Sequence, residues 1–201
     1  MLKQIANIIT FCRLVLAVLF LFMLLYSPYA QNKTFLFDIS LVVFIIAGLT
    51  DIIDGPIARK LNIATKFGRM LDPLVDKILI CGAFVCFAVI CQPEFLFNWS
   101  KTTLHIIRWS VAAALIIREG FVTVIRHAAE AKGIDFRAVA SGKIKMLIQS
   151  FAVGTLLVKA AHVQTAYWGY WFTTITLLIM LAVTVISGFT ATRRISQRPL
   201  P

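Results

Sequence analysis

The sequence predicts an all-α polytopic membrane protein with six transmembrane helices. Hydrophobic residues make up 60% of the 201 residues and the mean hydropathy is +0.87, whereas soluble domains are about 45–50% apolar. Apolar stretches of about 20 residues, the length that crosses a bilayer, recur along the chain. No linker between them is long enough to separate two domains. We therefore expect residues 1–201 to form one integral-membrane domain.

Polar breaks separate the six apolar stretches. The first stretch follows a single early lysine, and no small-residue cleavage pattern ends it, so it predicts a retained span rather than a signal peptide. The six predicted spans are 5–26, 36–58, 73–91, 104–127, 144–162 and 170–191.

The charge of the chain is strongly basic, with 20 Lys and Arg against 9 Asp and Glu. The basic residues concentrate between the second and third spans, between the fourth and fifth, and in the tail, which places these segments and both termini in the cytoplasm. The positive-inside rule explains the net charge of +11 better than nucleic-acid binding does. A compact chain without an organelle-targeting segment predicts the bacterial inner membrane.

Four aspartates lie close together in TDIIDGPIARKLNIATKFGRMLDPLVDK, residues 50–77. Asp51 and Asp54 are three apart where the second span ends, and Asp72 and Asp76 are four apart where the third begins. Each pair shares one face of a helix. Four carboxylates at a membrane boundary repel one another unless cations neutralise them, and carboxylate oxygens suit Mg²⁺, Mn²⁺ or Ca²⁺. The pattern predicts a divalent-metal site.

Small and basic residues surround these aspartates. Gly55, Ala58 and Gly68 lack bulk where a ligand could approach the backbone. Arg59 and its neighbours add positive charge. Carboxylates for metal, glycine for access and arginine for phosphate together indicate a diphosphate substrate rather than a bare ion.

The same aspartates have structural interpretations. Asp72 precedes Pro73, which is typical of a helix N-cap followed by proline in the first turn. Asp51 or Asp54 would pair with Arg59. A structural role is reasonable for any one of these aspartates, but it explains the presence of all four less well. Carboxylates at a membrane boundary usually have a functional role.

The pattern DxxDGxxAR, followed after eight residues by GxxxDxxxD, covers residues 51–76. It resembles, without a gap, the signature of the CDP-alcohol phosphotransferase family, and the six-span architecture is similar as well. The resemblance implies transfer of a phosphatidyl group from CDP-diacylglycerol to an alcohol, with release of CMP, by a homodimer in a lipid bilayer.

The resemblance also implies roles for single residues. Asp51, Asp54, Asp72 and Asp76 would hold two divalent ions, Mg²⁺ or Mn²⁺, against the donor diphosphate, and Asp76 would be the general base. Residues that would line the donor pocket are Gly55, Ala58, Arg59 and Gly68, with Asn7, Thr10 and Arg13 as further candidates for seating the nucleotide.

Charged residues inside the fourth and fifth spans indicate the acceptor. Arg118 and Glu119 fall within the fourth span, where charge is costly and suggests function, and Arg126 follows two helical turns later. Lys143 and Lys145 open the fifth span. Arg118, Arg126, Lys143 and Lys145 predict a pocket for an acceptor that already carries phosphate. Alternatively, Glu119 neutralises Arg118, and the lysines only reach the interface.

The segments IIREGFVTVIR and SGKIKMLIQ most resemble the phosphatidylglycerophosphate synthase branch of the family, whose acceptor is glycerol 3-phosphate. Ala6, Pro56 and Met146 depart from the usual pattern. The same chemistry with inositol phosphate, serine or phosphatidylglycerol is the alternative. A divalent-cation transporter is a remote alternative, which the apolar outer halves of the spans disfavour.

Overall fold

The computed structural model describes the backbone of residues 2–60, 66–94, 99–131 and 140–196, and the side chains of residues 10–50, 74–94, 99–125 and 144–190. Within these ranges the protein is all-helical, as predicted, and contains no strand. The elements are α1 (Leu2–Tyr26), a 3₁₀ turn (Ser27–Tyr29), α2 (Lys33–Lys60), α3 (Lys66–Val89), α4 (Lys101–Ala131), α5 (Ala140–Ala161) and α6 (Tyr167–Ser196).

Four helical segments are long and apolar enough to cross a membrane. They are Thr10–Tyr29, Lys33–Thr50, Ile144–Ala161 and Tyr167–Thr190. Within the described residues, α3 and α4 are not among them, although the sequence predicts a span in each. Helix α4 carries Arg108, Arg118 and Glu119, which lower its hydropathy.

The helices pack as one bundle around a shared apolar core. Helix α1 packs against α2 and α3, α5 packs against α2 and α6, and α4 contacts both α3 and α6. Phe20 of α1 and Phe44 of α2 meet with their ring centroids 5.3 Å apart. Leu115, Val153 and Met180 bring α4, α5 and α6 into the same core.

Large apolar side chains also cover the outside of the bundle. Phe22, Leu147 and Phe189 are each more than 60% exposed. Apolar surface of this extent is unfavourable in water and favourable in lipid. The bundle is therefore built for a membrane environment.

Hydrogen bonds at the helix ends show how α2 and α5 lie relative to each other. The Asn32 side chain caps α2 by accepting a hydrogen bond from the backbone N–H of Phe35 at 3.1 Å. Thr34 of α2 then donates to the carbonyl oxygen of Ala161 at the end of α5, at 3.4 Å. Helices α2 and α5 therefore run antiparallel, and the end of α2 lies beside the start of α5.

Helix α3 begins earlier than its predicted span. It starts at Lys66 and continues through Asp72 and Pro73, so the interpretation of Asp72 as an N-cap is wrong. Helix α2 likewise continues past Pro56 to Lys60. The whole aspartate motif therefore lies on two consecutive helices and the connection between them.

Candidate active site

The aspartate end of the bundle is the end where α2 finishes and α3 begins. Asp51 and Asp54 lie in the last three turns of α2, and Asp72 and Asp76 lie in the first three turns of α3. The three-residue and four-residue spacings therefore fall on continuous helix, which gives each pair a common face.

Most of the predicted donor and metal residues lie outside the described side chains. Their positions on helices are known where the backbone is described, but their contacts are not. This applies to Asn7, Asp51, Asp54, Gly55, Ala58, Arg59, Gly68 and Asp72, and to Arg126 and Lys143 among the predicted acceptor residues.

Asp76 is the one member of the aspartate set whose side chain is described. Its side chain is partly exposed, and its Oδ1 accepts a hydrogen bond from the Arg13 guanidinium of α1, which is 3% exposed. Arg13, which the sequence suggested for the nucleotide, thus contacts the proposed base. Thr10 lies one turn earlier on α1 and is half-buried.

A second polar site lies between α4, α5 and α6. Arg118 donates from Nη1 to Glu119 Oε1 at 2.8 Å, from Nη2 to Ser187 Oγ at 2.6 Å, and from Nε to the carbonyl oxygen of Thr184 at 3.1 Å. Arg118 is therefore held by α6 and by its own neighbour. This geometry agrees with the structural alternative for Arg118, in which Glu119 or a neighbouring helix neutralises the guanidinium.

Glu119 is the centre of that site, and the sequence analysis did not include it among the site residues. Its Oε1 also accepts from Lys145 Nζ at 2.5 Å and lies 3.5 Å from Gln149 Nε2. Glu119, Lys145 and Gln149 are all buried. The only sequence signal was a charged pair inside an apolar helix. We call this set the Glu119 cluster: Arg118, Glu119, Lys145, Gln149, Thr184 and Ser187.

Lys77 connects the aspartate end with the Glu119 cluster. Its Nζ donates to Thr123 Oγ1 at 2.5 Å, and Thr123 Oγ1 donates to the carbonyl oxygen of Glu119 at 2.6 Å. Lys77 follows Asp76 directly on α3. The proposed base and the basic cluster are therefore neighbours, joined through one turn of α4.

A groove of about 1070 Å³ also reaches the aspartate end. Asp76 forms part of its wall, and most of the remaining wall comes from apolar side chains of α2, α3, α5 and α6. The Asp76 carboxylate therefore borders the apolar groove, and the next residue, Lys77, connects to the Glu119 cluster.

The four aspartates have the ligand chemistry that a hard divalent cation requires. Among the described side chains, no three His, Cys, Asp or Glu residues come together as a metal site. Three of the four proposed ligands lie outside that part of the chain. Four carboxylates on two consecutive helices are oxygen ligands of the kind that Mg²⁺ and Mn²⁺ prefer.

Comparison with known proteins gives consistent matches along nearly the whole chain. The family described as CDP-alcohol phosphatidyltransferase matches residues 3–193. A CDP-diacylglycerol–glycerol-3-phosphate 3-phosphatidyltransferase of Bacillus subtilis is 31% identical over 191 residues, which are 91% of this chain and 90% of the relative. Proteins with the same name from Salmonella choleraesuis and Wigglesworthia glossinidia brevipalpis are 32% and 33% identical, over 77% and 80% of this chain and 76% and 80% of theirs.

Proposed function

Because this chain belongs to the CDP-alcohol phosphatidyltransferase family, we propose that it transfers the phosphatidyl group of CDP-diacylglycerol to glycerol 3-phosphate. The products are phosphatidylglycerol phosphate and CMP. The observation that carries this proposal is the adjacency of Asp76, the Glu119 cluster and the apolar groove. Relatives named for this reaction cover most of the chain.

The proposed reaction forms one bond and breaks one bond at phosphorus. The acceptor hydroxyl oxygen bonds to the phosphorus that carries diacylglycerol, and the bond from that phosphorus to the oxygen of CMP breaks. Asp76 takes the proton of the hydroxyl, which requires hydrogen-bond reach between the two groups. Arg13 holds Oδ1 of Asp76 and thereby fixes the direction of the carboxylate.

The aspartate set would hold the divalent metal of the family. We assign Asp51, Asp54, Asp72 and Asp76 as ligands of two ions, Mg²⁺ or Mn²⁺. When bound, such ions neutralise phosphate charge and stabilise the leaving group. Donor contacts are assigned to Gly55, Ala58, Arg59, Gly68, Asn7 and Thr10.

The Glu119 cluster supports an acceptor that carries phosphate. Arg118 and Lys145 bring two cationic groups to one carboxylate, so the cluster has an excess of positive charge. Arg126 and Lys143 lie further toward the aspartate end on α4 and α5. Glu119 arranges the cations but neutralises only part of their charge, which leaves attraction for an anionic alcohol.

We further propose that all six helices cross the membrane of a bacterial cell. The 24 residues of α3 and 31 residues of α4 correspond to about 36 Å and 46 Å, more than the roughly 30 Å hydrocarbon core. Basic loops place both termini and the aspartate end in the cytoplasm. Residues 1–201 form one catalytic domain, and family resemblance supports a homodimer.

A direct assay tests the reaction and its acceptor. Purified protein in lipid nanodiscs receives Mg²⁺, CDP-diacylglycerol and one alcohol at a time, and CMP release is measured. We expect release with glycerol 3-phosphate and much less with serine, inositol phosphate or phosphatidylglycerol. Faster CMP release with serine than with glycerol 3-phosphate would refute the acceptor assignment. Absence of CMP release with every alcohol would refute the reaction.

A further inference from the structure

The groove beside Asp76 is long and mostly apolar. The residues of α5 that line the groove come in pairs one helical turn apart. A single face of α5 therefore lines the groove from one end to the other. The α2 wall runs antiparallel to this face. The α5 lining residues are Met146, Leu147, Ser150, Phe151, Gly154, Thr155, Val158 and Lys159.

The groove extends from the aspartate end to the opposite end of the bundle. Asp76 and Met146 line it near the aspartate end, and Lys159 and Trp168 line it at the other. The thirteen residues from Met146 to Lys159 correspond to about 20 Å of helix. One leaflet of the hydrocarbon core is about 15 Å thick. The groove is therefore deep enough to follow a complete acyl chain of the leaflet.

Lys159 forms a polar floor at the far end. Its Nζ donates to the carbonyl oxygens of Val163 at 2.5 Å and Gln164 at 2.9 Å, and lies 3.6 Å from the centre of the Tyr170 ring. The side chain is almost completely buried. A hydrocarbon chain that displaced Lys159 would break these hydrogen bonds and leave buried polar groups without partners, which is unfavourable. The floor thus sets a maximum depth.

Gly154 gives the groove its width at mid-depth. A Cβ added there would have Leu41 Cδ1 as its nearest neighbour, at 3.9 Å, so space remains for a larger group. Gly154 lies eight residues from Met146, or about 12 Å along α5. A bulky side chain at this position would close the groove at little more than half its depth.

In the proposed reaction this groove would hold one acyl chain of the lipid donor, and we propose that Gly154 and the Lys159 floor determine the chain length that it accepts. The inference rests on the proposed function, because it requires a diacyl donor whose phosphate lies at Asp76. Because the apolar wall begins at Asp76, the expected occupant is a hydrocarbon chain attached to the group that reacts there. When the phosphate of a lipid lies at Asp76, its acyl chain can enter this groove and remain in contact with apolar side chains along its whole length.

The test compares donors of two chain lengths on matched variants. Gly154→Leu is assayed with dipalmitoyl and dioctanoyl CDP-diacylglycerol, and Gly120→Leu serves as control, because Gly120 is exposed on α4 with no atom within 4 Å of an added Cβ. We expect the ratio of kcat/KM for the long donor to that for the short donor to fall about tenfold in Gly154→Leu. Gly120→Leu should keep the ratio of the unsubstituted protein.

A second pair of variants covers the case in which Gly154→Leu does not fold. Val158→Phe narrows the groove one turn deeper, and Val124→Phe on the exposed face of α4 is its control. We expect Val158→Phe to lower the same ratio by about threefold. An unchanged ratio in both groove variants would overturn the inference while the reaction itself stands.

The same preparations distinguish the other outcomes. Absence of CMP from the unsubstituted protein with either donor contradicts the proposed function rather than the groove assignment. If a second copy of this chain fills the groove instead, Gly154→Leu changes the oligomeric mass in nanodiscs and leaves the chain-length ratio unchanged. That result would also overturn the inference.

Discussion

The aspartate end and the Glu119 cluster lie side by side but are assembled in opposite ways. The aspartate motif occupies 26 consecutive residues on α2 and α3. The Glu119 cluster joins residues that are distant in sequence, such as Arg118 with Ser187, 69 residues apart, and Lys145 with Glu119, 26 residues apart. One region is encoded locally, whereas the other exists only when α4, α5 and α6 have packed.

The two regions also balance their charge differently. The aspartate end gathers acids, of which Asp76 contacts a cation from α1. The Glu119 cluster gathers cations around one buried acid. Removing an acid should therefore affect chemistry at the first region. Removing the acid of the Glu119 cluster should affect both the arrangement of the cations and the stability of the fold.

The largest expected effect is at Asp76. Asp76→Asn keeps the size of the side chain and removes its ability to accept a proton, so kcat for CMP release should fall about 10³-fold. Binding of the donor, measured by equilibrium titration, should persist. Asp38→Asn is the matched control, because Asp38 lies near the opposite end of the bundle and pairs with His162 at 2.7 Å. Normal turnover in Asp76→Asn would contradict the assignment of the base.

An intermediate effect is expected at Glu119. Glu119→Gln leaves Arg118 and Lys145 without their buried acid, so the free energy of unfolding should fall by about 3 kcal/mol. The KM for glycerol 3-phosphate should rise about tenfold with a smaller change in kcat. Thermal unfolding and initial rates in nanodiscs measure these quantities.

A double-mutant cycle separates the two partners of this buried ion pair. Lys145→Met combined with Glu119→Gln should cost less stability than the sum of the single changes, with a coupling of about 1–3 kcal/mol. Glu94→Gln, an exposed acid at the opposite end, provides the control. Additive losses in the cycle would show that Glu119 does not hold Lys145 in the folded protein.

Comparison of the sequence predictions with the structure shows which physical signals a sequence carries. Each predicted span falls on a different helix, because apolar length is a property of consecutive residues, although the third and fifth predicted spans run past the ends of α3 at Val89 and α5 at Ala161. Helix boundaries were less well predicted: α3 begins at Lys66 rather than 73, and α6 ends at Ser196 rather than 191. Hydropathy identifies the part of a helix that lies in lipid, whereas backbone hydrogen bonds continue through polar turns beyond it.

In the candidate active site, too, local features were predicted from the sequence and contacts between distant residues were not. The spacing of the aspartates predicted their place on two consecutive helices, because the periodicity of a helix is local. The contact between Arg13 and Asp76 spans 63 residues, and the convergence of Lys145 and Gln149 on Glu119 depends on the packing of both α4 and α5 against α6. No spacing rule contains that information, so Glu119 appeared only as a costly charge inside an apolar helix.

The smallest expected effect is at Lys77, which joins the two regions. Lys77→Met keeps most of the length of the side chain and removes the hydrogen bond to Thr123, a net loss of about 1 kcal/mol. Since Thr123 in turn bonds to the backbone of Glu119, KM for glycerol 3-phosphate should rise by about threefold to fivefold, and binding of the donor should not change. Lys33→Met, at the start of α2 near the opposite end, is the control. Equal effects of the two substitutions on KM would indicate that the aspartate end and the Glu119 cluster act independently, and a weakened donor affinity in Lys77→Met would assign Lys77 to the donor instead.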